Sequence, residues 1–147
     1  MKRSRSEKRG IGARGPLVVL LTLAALVLAS GAALAQTTLH QGTWTAKGYE
    51  IEGTWKIVER GGELWVILSE DFKTRDAPDL KIFLSPTPLD ELRNRNANRN
   101  ALRVAELEKA DGAQEYQIPG VSDLGEYRSI IIHCERYTKL WGGADLR

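Results

Sequence analysis

The sequence predicts an all-β fold, an antiparallel β-sandwich or sandwich-like barrel, on three observations. Apolar and polar residues alternate with period two over much of the stretch Tyr49–Leu68, the pattern of half-buried strands. The turn-forming pairs Gly61-Gly62, Asp111-Gly112 and Pro119-Gly120 punctuate the chain at short intervals, as they do between the strands of sandwiches and barrels. Helix signals are confined to one short turn near residues 88–92, where Thr87-Pro88 offers an N-cap followed by proline at the first helical position.

Taken in order, Tyr49, Ile51, Trp55 and Ile57 define the first strand, with Glu50, Glu52, Thr54 and Lys56 between them. Gly61-Gly62 supplies a turn, and Glu63–Leu68 returns with Leu64, Val66 and Leu68 on one face and Trp65 and Ile67 on the other. The pair reads as a hairpin with a loop of several residues. A polar connection, Asp71 to Pro78, leads to a short strand Leu80–Leu84 that Ser85-Pro86 stops. Arg93–Asn100 alternates arginine and asparagine with almost no apolar content and reads as a solvated excursion between strands. Val104–Leu107 and Tyr116–Ile118 are short strands. Tyr127–Tyr137 carries the strongest signal, because Ser129-Ile130-Ile131-Ile132 is apolar on both faces as in a central strand.

The N-terminal stretch has a different character. Lys2, Arg3, Arg5, Lys8, Arg9 and Arg14 precede an uncharged apolar run from Leu17 to Leu28, which closes on Ala33-Leu34-Ala35. A basic start, a short apolar centre and a small-x-small triplet form a secretory signal, with cleavage expected before Gln36. Residues 1–35 are therefore expected to be a signal peptide and residues 36–147 a single β domain, secreted or periplasmic. The competing expectation is a retained membrane anchor, because Leu17–Ala35 approaches the roughly 20 residues that span a bilayer. No lipobox cysteine lies near the expected cleavage site.

Removing the leader reverses the charge. The chain carries 21 basic and 19 acidic residues. Six basic and one acidic residue fall before Gln36, leaving 15 against 18 and a net charge of −3. The basic character belongs to the leader, and a nucleic-acid partner loses its electrostatic support.

The chain has one cysteine, Cys134, so no intramolecular disulfide can form. In an oxidising compartment a lone thiol is buried and inert, paired between chains, or functional. Cys134 continues the alternation of Ile130 and Ile132, so the three share a face, and Arg136 is the local cation on that same alternation. His133 points to the opposite face, which prevents it and Cys134 from chelating one ion. The only other histidine is His40, and no methionine follows the leader, so a blue-copper ligand set is incomplete. No Cys-x-x-Cys-His exists for covalent haem. Non-covalent haem, with Cys134 or a histidine as ligand, stays open. Glu70, Asp71, Asp76 and Asp79 form an acidic loop without EF-hand spacing, so no metal site is expected. No nucleophile elbow, phosphate loop or dinucleotide fingerprint occurs, which argues against an enzyme. The four tryptophans, Trp44, Trp55, Trp65 and Trp141, read as core or edge packing.

Several blocks in order carry a resemblance: Asp71-Phe72; Ala77-Pro78-Asp79-Leu80-Lys81-Ile82-Phe83-Leu84-Ser85; Tyr116-Gln117-Ile118-Pro119; Tyr127 through Tyr137; and Trp141-Gly142 with Ala144 and Leu146. Together, from about Gly42 to Leu146, they resemble the DM-thirteen domain, a proposed electron-transfer domain found alone in exported bacterial proteins and beside DOMON domains in animals. The resemblance implies a β-sandwich-like extracytoplasmic domain whose near-invariant cysteine is matched by Cys134. It also implies electron transfer by a bare thiol or through a bound group such as haem. The residue before that cysteine is often tryptophan in the family and is His133 here. The Phe-Gly near the end is Trp141-Gly142.

Two readings follow. In one, the protein is an exported redox module centred on Cys134, with His133 and Arg136 as secondary site residues, and its partner is a redox or envelope protein. In the other, it is a cell-envelope binding or structural domain in which Cys134 is buried and inert.

Overall fold

A computed structural model describes residues 35–147; the expected leader lies outside the described residues except for Ala35. Eleven strands and one 3₁₀ turn follow in chain order. They are β1 (Gln36–Thr43), β2 (Thr45–Ala46), β3 (Ile51–Glu52), β4 (Thr54–Arg60), β5 (Glu63–Leu68), β6 (Lys73–Thr74) and β7 (Leu80–Ser85), then the turn Leu89–Glu91, then β8 (Leu102–Glu106), β9 (Gln114–Gln117), β10 (Ser129–Cys134) and β11 (Lys139–Asp145). One sheet has the order β1-β4-β5-β9, the second β2-β11-β10-β7-β8, and β3 pairs with β6 as a small third unit. Every pairing is antiparallel. The all-β sandwich expected from the sequence is the observed architecture.

The main core lies between the two large sheets. Trp55, Ile57, Leu64, Val66 and Leu68 from the first meet Leu80, Ile82, Leu84, Ile130, Ile132 and Cys134 from the second. Alternation along β5 puts Leu64, Val66 and Leu68 inward and leaves Trp65 and Ile67 half-buried. β7 and β10 are buried at every position because the second sheet is covered on both faces. Its outer cover is a second core of Phe83, Leu89, Leu92, Ala97, Ile131 and Leu140.

Four expectations need correction. The β4–β5 loop is two residues long, since Arg60 pairs with Glu63, and Gly61 and Gly62 have φ of 62° and 82°. Both central residues at positive φ is the tight hairpin geometry that matches strand twist. The strand beginning at Tyr49 is interrupted at Gly53, whose φ of 87° turns β3 away to pair with β6. A Cβ there would lie 2.7 Å from the Phe72 backbone. Pro88, not Thr87, occupies the N-cap of the 3₁₀ turn, and no side-chain cap bond forms. The Arg93–Asn100 excursion is not simply solvated. Ala97 is fully buried in the outer core, and the Asn94 side-chain oxygen accepts a hydrogen bond from the Leu140 amide at 3.0 Å.

β1 has no counterpart in the sequence reading. It is an edge strand exposed at most positions, so it carries no alternation to read. No helix among the described residues is long and apolar enough to cross a membrane.

Candidate functional site

Cys134 is the last residue of β10, paired with Leu80 on one side and Lys139 on the other. Its side chain is wholly buried in the main core with Ile130 and Ile132, as the alternation requires. The Sγ–H donates to the Pro78 carbonyl at 3.1 Å. Pro78 belongs to the connection entering β7, so one polar bond ties the thiol to the loop that crosses the end of its strand.

That loop is held in place by charge. Asp79 adopts a left-handed φ of 72°, a conformation aspartate tolerates better than most residues. Its carbonyl accepts from the Glu135 amide at 3.2 Å. Lys81, almost fully buried, contacts the Asp79 carboxylate at 2.6 Å and also binds the Glu135 carboxylate. Asn98 of the excursion donates to the second Glu135 oxygen at 3.3 Å. The hydrogen bond from Lys81 holds the Asp79 carboxyl below its ordinary range. The same ammonium does this for Glu135, and the two acceptors, Asp79 first, raise Lys81 above its usual value. The Asp79–Lys81–Glu135 triad thus clasps the Pro78–Asp79 segment onto the end of β10.

His133 faces the other side, as strand geometry demands. It is buried, its ring edge-on to Phe83 at 6.3 Å. Its Nε2 lies 3.1 Å from the Asn94 carbonyl and donates to it. Nδ1 has no hydrogen-bond partner among the described residues. The sheet therefore separates His133 from Cys134. Arg136 does not continue the cysteine's face. β10 ends at Cys134, and Arg136 sits exposed in the turn to β11, on the Asp79 side. Of the three residues named from the sequence, only Cys134 lies in the main core.

The sequence reading missed the clasp. Asp79 ends the acidic loop read from the sequence, and its partner is the Lys81 ammonium. The available signal was Lys81, a single charge inside Leu80-Lys81-Ile82-Phe83-Leu84. A cation in a strand buried on both faces requires a partner.

The tryptophans pack as expected. Trp44 lies 6.2 Å from both Trp55 and Phe72, while half-buried Trp65 carries Arg60 at 5.1 Å. Trp141 stacks with Tyr49 at 4.0 Å and donates through Nε1 to Thr74 Oγ1 at 3.0 Å.

A family model described as Electron transfer DM13 matches residues 43–146. The chain belongs to this family. The expected DM-thirteen identity and the electron-transfer class therefore stand for nearly all of the described domain. No curated protein and no solved structure matches the chain.

A haem proposed for such a domain needs an apolar cleft that reaches its axial ligand. Here Sγ is sealed in the core and bonded to Pro78. His133 is sealed beneath Phe83, Leu140 and the Arg93–Asn100 excursion. Five surface grooves among the described residues are lined by neither residue. This arrangement of the DM13 domain does not fit a haem at Cys134 or His133.

Proposed function

We propose that the protein is an exported electron-transfer module in which Cys134 is the redox residue. The observation carrying this reading is the position of the thiol: it is the sole cysteine of an electron-transfer family domain, buried and held by one directed bond to Pro78. Thiol–disulfide exchange requires one sulfur to attack another through an accessible thiolate, and the closed core denies that approach. Electron transfer through the protein needs no such contact. In a one-electron step the Cys134 S–H bond breaks to leave a thiyl radical, the electron passes to a strongly oxidising one-electron acceptor protein, and the proton leaves to water. The S–H donates to the carbonyl of Pro78, an exposed residue. Reduction reverses each transfer. The leader supports an exported location.

A second reading is favoured by the same burial. Cys134 lies among Ile130 and Ile132 as a small core residue, in a domain that binds an envelope partner without redox chemistry.

An absorption spectrum of the protein purified from its native compartment, with electron release to a one-electron oxidant measured beside it, tests the first reading. The expected result is no Soret or charge-transfer band, together with electron release that Cys134→Ser abolishes. A Soret band would overturn the bare-thiol version. Absence of release in the unsubstituted protein would leave the second reading.

A further inference from the structure

We infer that the groove between residues 46–52 and 73–75 is the docking site for an acidic face of the protein with which this domain exchanges electrons. This rests on the electron-transfer reading above.

The groove is open and encloses about 700 Å³. Lys47, Lys73 and Arg75 stand exposed on its walls. The Lys139 stem adjoins it, since a Cβ on Gly48 would lie 2.8 Å from Lys139 Cε. Glu50 and Glu52 are the opposing charges, which leaves a local excess of two positive charges. No ion pair engages any of these six side chains among the described residues. The patch runs against the net charge of −3 carried by residues 36–147. A local field of opposite sign to the whole molecule orients an incoming acidic partner and raises its encounter rate.

The groove also leads toward the thiol. Tyr49, half-buried on its wall, stacks on Trp141, and Arg75 covers the Tyr49 ring at 5.3 Å. Trp141 shares the main core with Cys134. Trp141 is the extra residue of the β-bulge on the adjacent strand, between the partners of Ile132 and His133, on the same core side as Cys134. Electron tunnelling weakens exponentially with distance, so an acceptor seated here has a short aromatic path to the sulfur. The wall is rigid. The amides of Lys47, Gly48 and Tyr49 all donate to the Trp141 carbonyl at 3.0, 2.9 and 3.4 Å, and Thr74 Oγ1 donates to the Glu50 carbonyl at 2.8 Å. Small-molecule sites are concave and mostly apolar. An open wall of lysines interleaved with glutamates instead suits the face of another protein, of the small, salt-sensitive kind typical of redox encounters.

The test is a titration of the ¹⁵N-labelled full chain with a polyglutamate peptide at low salt, followed by amide shifts. The expected shifts centre on residues 46–52, 73–75 and 139–141 and fade as salt is added. Lys47→Glu combined with Lys73→Glu should weaken binding by about tenfold or more, while Arg95→Glu combined with Arg99→Glu should change it little. Dichroism checks that each variant is folded. Shifts centred on the Arg93–Arg103 region, or affinity indifferent to the lysine reversals, would overturn the assignment. Cys134→Ser should leave the titration unchanged. Loss of electron release with binding intact therefore isolates the thiol, and electron release with no groove binding isolates the docking site.

Discussion

At the scale of single residues, Cys134 lies in the core and Arg136 in solvent because the strand ends between them. Period-two alternation holds only while the strand lasts, and β10 stops at Cys134. The opposite facing of His133 was legible from the same alternation. The Pro78 carbonyl was not, because it depends on which strand enters beside β10. That carbonyl changes what a substitution should do. An unpaired buried hydroxyl costs on the order of 1–3 kcal/mol, but a serine at 134 can still donate to Pro78. Cys134→Ser should therefore destabilise by about 1 kcal/mol, the low end of that range. Cys134→Ala removes the donor and leaves the Pro78 carbonyl without it, so it should cost as much or more. Urea unfolding of the two variants checks this; a serine variant several-fold costlier than alanine would show that the Pro78 bond does not accept a hydroxyl.

At the scale of elements, strands with an exposed face were readable, whereas turns and edges were less so. β5 announces itself by alternation. β1 does not, since a strand exposed at most positions has nothing to alternate. The excursion at Arg93–Asn100 looks solvated because its anchors are few: Ala97 and backbone or amide groups of Asn94 and Asn98. The Asp79–Lys81–Glu135 clasp joins the start of β7 to the turn after β10, with 54 residues separating Lys81 from Glu135. Asp79 and Glu135 titrate below their ordinary values. Their contribution is complete above the unfolded carboxylate pKa of about 4 and is lost as pH falls through the lowered folded values. Lys81 titrates above its ordinary value, so its contribution is complete below about 10.4 and lost as pH rises through the raised folded value. The clasp should be closed throughout the neutral range. Hydrogen exchange at the Glu135 amide, corrected for intrinsic rate, should thus lose protection in acid before the β10 centre does. Lys81→Met should produce the same local loss at pH 7 and hasten Cys134 labelling, because two carboxylates then face each other without a cation. Unchanged protection and labelling would mean that the clasp does not hold the loop.

At the scale of the whole molecule, fold class was legible because strand alternation and turn residues agree along the chain. The pairing order was not, since β7 meets β10 and β2 meets β11 across long sequence separations. The proposed export belongs to this scale as well. Intact-mass analysis of secreted protein should place the mature N-terminus at Gln36; a mass retaining Leu17–Ala35 would indicate an anchored protein. The central claim concerns how the domain as a whole exchanges electrons, and protein-film voltammetry of the unsubstituted protein against Cys134→Ser tests it most directly. The account predicts a one-electron, one-proton wave in the unsubstituted protein that vanishes in the folded serine variant. A wave that survives the substitution, or no wave in either protein, would contradict it.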